Sequence, residues 1–169
     1  QTITVQDVVA PNIFRIYTLP NGKKLVAGVT EFVGERWKTV PLPIDFTQKP
    51  LIFSQIITQV DAAPAIPQIR NVSKAQFELH LQQEEAATQV HGREKVAWIA
   101  IEQGIQTTDY QLIANTLGVG SQPETINFEN DFSVIPTFFT AQQTTDEPDP
   151  TIVQYQNLTT TAVTLNLKE

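Results

Sequence analysis

Residues 39–83 lie over residues 125–169 at a constant offset of 86 with no gap. Thr39 meets Thr125, Asp45-Phe46 meets Asp131-Phe132, Pro50 meets Pro136, Phe53 meets Phe139 and Thr58 meets Thr144. Farther on, Pro64, Ile66, Gln68 and Asn71 meet Pro150, Ile152, Gln154 and Asn157, and Leu79 and Leu81 meet Leu165 and Leu167. Where identity fails, apolar character holds: Phe77 meets Val163 and Val72 meets Leu158. Upstream, Leu25-Val-Ala27 meets Leu112-Ile-Ala114 with one residue of slippage. Shared composition does not keep an ungapped register over such a length, so the chain reads as a tandem duplication.

Each copy reads as β-structure. Phe77, Leu79 and Leu81 alternate with Glu78, His80 and Gln82, and Val163, Leu165 and Leu167 alternate with Thr164, Asn166 and Lys168. A period of two places one face of a strand in a core and the other in water. Gln82–Gln89 holds good helix formers but no apolar face of period 3.6. Eleven prolines and the Asn21-Gly22 pair punctuate the runs, as in a sandwich or barrel of short strands. The expected fold is all-β, with two tandem antiparallel β-sandwich modules. The first copy offers strands near 23–31, 38–46, 51–60, 65–71, 76–83 and 94–102. The second offers strands near 110–117, 124–130, 136–144, 151–157 and 161–168.

The second copy has no counterpart of Lys95-Val-Ala-Trp-Ile-Ala-Ile101. An N-terminal stretch, residues 1–19, stands before the first copy as that strand stands before the second. This divides the chain into 1–19 as an N-terminal donor strand, 20–104 as a complete sandwich and 105–169 as a sandwich lacking its sixth strand. An unfilled strand position leaves an open apolar core and unpaired backbone groups along two edges. Three arrangements answer it: the N-terminal strand fills the gap in its own chain, it fills the gap in a neighbouring subunit, or the sequence is a fragment. In the second, Ile3, Val5, Val8, Phe14 and Ile16 are the inserted side chains. That contact is head-to-tail and open-ended where the rotation does not close.

Composition narrows the function classes. At 41% hydrophobic and 17% charged residues, the chain is a folded protein rather than a disordered one. A net charge of −7 with no basic stripe argues against a nucleic-acid partner. No apolar run approaches the roughly 18–20 residues that span a bilayer as a helix. With no cysteine, disulfides, thiolate catalysis and Cys-ligated zinc are excluded. A chain beginning at Gln1 leads to the expectation of a cleaved signal peptide, and so of a secreted or cell-surface location.

Phe46-x-x-x-Pro50, the run Phe53-Ser-Gln-Ile-Ile-Thr-Gln-Val-Asp61, Asn71-Val-Ser-x-x-x-Phe77 and Ala97-Trp98-Ile-Ala-Ile-Glu102 together resemble the H-type lectins, the snail-agglutinin and discoidin family. Glu84-Glu85-Ala86 with His91 is similar to related repeats of bacterial surface proteins. The resemblance implies a small antiparallel β-sandwich, often oligomeric, with sugar bound near subunit interfaces. The family's binders carry a Trp-His pair just after the fifth strand, where this chain has Glu84-Glu85. The resemblance therefore carries the fold and not the sugar site.

Four polar residues, Glu84, Glu85, His91 and Glu94, fall in one interstrand loop. They could hold a hard cation or act as an acid/base pair; against this stands a solvated loop with salt bridges to Arg93 or Lys95. Trp98 alternates with Val96 and Ala100 and reads as core. Trp37, in the Gly34-Glu-Arg-Trp37 turn, is the aromatic candidate for a sugar contact. Asn71-Val-Ser73 and Asn157-Leu-Thr159 fit the glycosylation pattern, yet recur because a turn recurs. The acidic loop of Asp146, Glu147 and Asp149 reads as solvated. No nucleophile elbow, phosphate loop or metalloprotease motif is present, so an enzyme is not expected and no cofactor is called for. The expected role is that of a subunit of an extracellular or cell-surface filament, partnered with itself by donor-strand complementation. The rival is a carbohydrate-binding module of a larger secreted adhesin or polysaccharide-acting protein, partnered with glycans.

Overall fold

A computed structural model describes residues 4–9, 13–60, 62–83, 89–107, 111–144 and 151–168. Among them the chain forms thirteen strands and no helix, all paired antiparallel. In chain order these are β1 (Thr4–Val9), β2 (Ile13–Thr18), β3 (Lys24–Val33), β4 (Lys38–Pro41), β5 (Leu51–Ile56), β6 (Ala65–Arg70) and β7 (Gln76–Gln83). There follow β8 (Glu94–Ile101), β9 (Gly104–Thr107), β10 (Gln111–Ala114), β11 (Glu124–Asn127), β12 (Ile152–Gln156) and β13 (Ala162–Lys168).

A five-stranded sheet, β1-β2-β3-β8-β5, faces a three-stranded sheet, β4-β7-β6. Val26, Ile52, Val96, Trp98 and Ala100 from the first sheet meet Val40, Ile69, Phe77, Leu79 and Leu81 from the second in one buried cluster. Every second residue of β8 points inward, which is why Val96, Trp98 and Ala100 are sealed while Lys95 and Ile99 are exposed. Trp98 is the centrepiece. Phe14 lies 5.6 Å from it and Phe77 meets it edge-on at 5.2 Å, while its indole N–H donates to Thr30 Oγ1 at 3.0 Å. Gly28 stands opposite Trp98 in the β3–β8 ladder, and a Cβ there would lie 2.4 Å from the indole.

The duplicated sequence returns as duplicated hydrogen bonding. The order β4-β7-β6 recurs as β11-β13-β12. Leu42 N donates to Ala75 O, and Phe128 N to Thr161 O; Phe46 N donates to Lys74 O, and Phe132 N to Thr160 O. Leu81 N donates to Gly34 O as Leu167 N does to Gly120 O. The tight turns recur as well. Asn71 and Asn157 take left-handed φ values of 49° and 52°, and Ser73 N and Thr159 N bond Gln76 O and Ala162 O. The slippage of one residue also has an address. The β3–β8 register shifts between Thr30 and Val33, a bulge in which Phe32 takes φ 57° and leaves its ring exposed. The bulge gives the first copy one residue that the second does not have.

Three strand expectations change. The N-terminal stretch holds a hairpin of two strands, β1 and β2, and β2 pairs with β3 inside the five-stranded sheet. Strand β9 pairs with β10 as β2 pairs with β3, an element the sequence did not disclose. Residues 136–144 form no strand. Their counterparts in β5 are held by a ladder with β8, and without such a neighbour an extended segment has no ladder to join.

Candidate functional site

In the first sandwich β8 lies between β3 and β5 and closes the core. Among the described residues no strand lies between β10 and segment 136–142, the counterparts of β3 and β5. The consequence shows position by position. Val26, Val40, Phe46 and Ile52 are sealed, at 3% exposure or less, whereas their counterparts Ile113, Ile126, Phe132 and Phe138 are all half-buried. Phe139 is 74% exposed. The base of the half-open sandwich is sound: Val163 and Leu165 on β13 are buried, and Phe128 meets Phe132 edge-on at 5.3 Å.

This opening is a cleft of about 1940 Å³. One wall is the outer face of the first sandwich, with Leu51, Phe53, Ile99 and Ile101; the other is Ile113, Phe138 and the β13 apolar row. Gln143 Oε1 accepts from the Ile52 backbone N–H, so segment 136–144 leans on the edge of β5. A long apolar trough flanked by free backbone is chemistry for an extended peptide strand, which satisfies both at once.

The expected donor residues divide. Ile3 lies outside the described residues. Val5 and Val8 are in β1, paired with Tyr17 and Phe14 in an unbroken register. Phe14 and Ile16, expected in a donated strand, are buried in their own sandwich, in the cluster that holds Trp98. Apolar burial binds both to that core.

The polar loop divides too. Glu84 and Glu85 lie outside the described residues. Glu94 is not a loop residue but the first inward position of β8. Its carboxylate is buried and accepts from Thr58 Oγ1 and, at 2.7 Å, from the Val60 N–H; His91 Nε2 lies 3.3 Å away. Burial pushes this carboxyl up, but the Thr58 and Val60 donors and the neighbouring His91 outweigh it and hold it below 4.5. The Lys95 N–H closes the clamp onto Thr58 Oγ1 at 2.8 Å. The arrangement fastens the start of β8 to the end of β5. Among the described residues no group of three or more His, Asp or Glu could hold a metal ion.

Trp37 is half-buried rather than presented to solvent. His80 stacks on it at 3.8 Å, and the Arg70 guanidinium carbon lies 3.9 Å from the ring centroid. Arg70 also pairs with Glu78 at 2.6 Å. Proximity on neighbouring strands β6 and β7 gathers these residues, and the sequence signal for it was the alternation that put His80 and Glu78 on one face. Among the described residues no helix is long and apolar enough to cross a membrane. Compared with known protein families, curated proteins and solved structures, the chain matches none.

Proposed function

We propose that this chain is a structural subunit of an extracellular assembly, built from two H-type-lectin-like sandwiches, whose second sandwich takes the N-terminal strand of another copy. The half-open cleft between β10 and segment 136–142 carries the reading. At present β1 is an edge strand laddered on one side only; inserted, it gains a ladder on both. Each apolar side chain it buries contributes roughly 1.5–3 kcal/mol. Chain order supports the same partner. Strand β8 runs directly into β9, and β1 runs directly into β2, the strand that plays the part of β9. A copy joined through β1 therefore follows the second sandwich as the second follows the first, which gives a head-to-tail filament.

The glycan-binding alternative has Trp37 as its platform, but His80 and Arg70 already occupy that ring. Specific binding on a glycan array by a non-polymerising chain would favour it. The assembly reading is tested by light scattering and negative-stain imaging of the intact chain and of a deletion of residues 1–9, which spares β2. Polymers from the intact chain and monomers from the deletion are expected. A monomeric intact chain, or polymers that survive the deletion, refutes it.

A further inference from the structure

The cleft reads a particular strand, and the reading rests on the strand-acceptor function above. In the first sandwich each inward residue of β8 stands between one residue of β3 and one of β5. Val96 is flanked by Thr30 and Ile56, Trp98 by Gly28 and Ser54, and Ala100 by Val26 and Ile52. The repeat carries those flanks to Leu117 and Gln142, Asn115 and Thr140, and Ile113 and Phe138. The outer two positions keep at least one apolar wall. The central one changes character, because Gly28 is tolerated beneath the indole only for want of a side chain, and Asn115 supplies one. An indole does not fit there. Asn115 and Thr140 instead bring an amide and a hydroxyl, both hydrogen-bond donors, to the middle of an apolar trough. Asn115 Nδ2 now donates at 3.2 Å to Glu129 Oε1 in an exposed contact, and an amide has two hydrogens to give. The strand that fits has apolar residues at both ends and a short acceptor between.

We propose that β1 of a second copy is that strand, with Val5 and Val9 in the places of Val96 and Ala100 and Asp7 in the place of Trp98, held by Asn115 and Thr140. A buried carboxylate is tolerable only with such donors. With Asp7 at the Trp98 position, Val9 falls on Ala100. Gly104 pairs with Ala114 as Arg15 pairs with Ala27, so in this register the link from β1 to β2 is two residues longer than the link from β8 to β9. Pro11 then falls beyond the last position of the ladder, where a missing N–H does not break a central strand. A slip by one residue would turn Val5, Asp7 and Val9 out and Gln6 and Val8 in, which leaves no acceptor carboxylate at the centre.

The test introduces a charge within the full chain. Asn115→Asp places a carboxylate against Asp7, beside that of Glu129, and sedimentation should show polymer mass falling by about tenfold or more, with the circular-dichroism spectrum unchanged. Adding Asp7→Asn to that variant should restore polymer. A second pair checks size: Asp7→Trp should block assembly, and Asn115→Gly with Thr140→Ser should recover it. Unchanged polymer in Asn115→Asp, or failure of both rescues, overturns this register. If deletion of residues 1–9 still abolishes polymer, only the register has failed; if it does not, the acceptor reading has failed with it.

Discussion

Replacing Gly28 by alanine should destabilise the first sandwich. Gly28 is not among the residues with positive φ, so the demand is for space and not for backbone freedom. The added Cβ would lie 2.4 Å and 2.8 Å from two carbons of Trp98 and 2.9 Å from Phe14 Cδ1. None of these atoms is the tip of a flexible chain. Trp98 and Phe14 are 2% and 6% exposed, and Phe77 packs edge-on against Trp98 at 5.2 Å. Overpacking of this kind costs about 1–3 kcal/mol. An indole that slides away also strains its bond to Thr30, and a buried donor left unmade adds about 1–3 kcal/mol. The sum is about 2–6 kcal/mol, which shifts a urea midpoint by roughly 1–3 M at an m-value near 2 kcal/mol/M. Circular dichroism in urea reads it. The double variant Gly28→Ala with Trp98→Leu isolates the cause, because removing the indole should return at least about 1 kcal/mol of the loss from Gly28→Ala. A Gly28→Ala midpoint equal to wild type, or strictly additive effects, would refute the steric argument.

Two further expectations concern protons. Glu94 and Glu102 are both held below the ordinary value of 4.5: burial raises each, but Thr58 and Val60 N–H on Glu94, and Thr47 and Lys24 N–H on Glu102, outweigh it, helped by His91 and by Lys23 and Lys24. Folded-state values that are depressed give stability that is complete above about 4.5 and lost as the pH falls through them. Urea midpoints should therefore drop between about pH 5 and pH 3, and Glu102→Gln should flatten that slope; a parallel slope would count against the Thr47 and Lys24 donors as its cause. His80 is displaced below 6.5, by burial first, with Arg70 adding to the effect and the Glu35 carbonyl and carboxylate opposing it. Its contribution is complete above about 6.5 and declines as the pH falls through the folded value. Trp37→Ala should reopen the ring to water and return it toward 6.5 in an NMR titration, and an unmoved resonance would show that the stack is not the cause.

The part of the fold that was legible in the sequence is the part set by local alternation and by the repeat. Trp98 reads as core from its alternation with Val96 and Ala100, and the structure seals it. The duplication predicts paired turns at Asn71 and Asn157, and both adopt the same left-handed residue. What escaped is what depends on a neighbour. Residues 136–144 align with β5 and its flanks but lack the ladder that makes β5 a strand. Strand β9 is short and gains definition from pairing with β10. Glu94 read as a loop carboxylate because acids are seldom buried; the donors that make burial tolerable, Thr58 and the Val60 N–H, come from a segment more than thirty residues away. Phe14 and Ile16 had the alternation of a free strand, and only the ladder of β2 with β3 assigns them to the first core.

The substitutions between the two copies follow one direction. Bulk that the first sandwich carries on its closing strand, as Trp98, moves in the second to the walls: Phe138 stands for Ile52, Phe128 for Leu42 and Asn115 for Gly28. On the opposite sheet the change is reversed, with Val163 for Phe77, the residue that meets Trp98 edge-on. Most of these positions remain apolar, but Gln142 stands for Ile56 and Asn130 for Ile44, and the central pair of Asn115 and Thr140 brings hydrogen-bond donors. Under the strand-acceptor proposal, a cleft with these walls disfavours a copy of β8, whose indole would meet Asn115, and takes a slimmer strand.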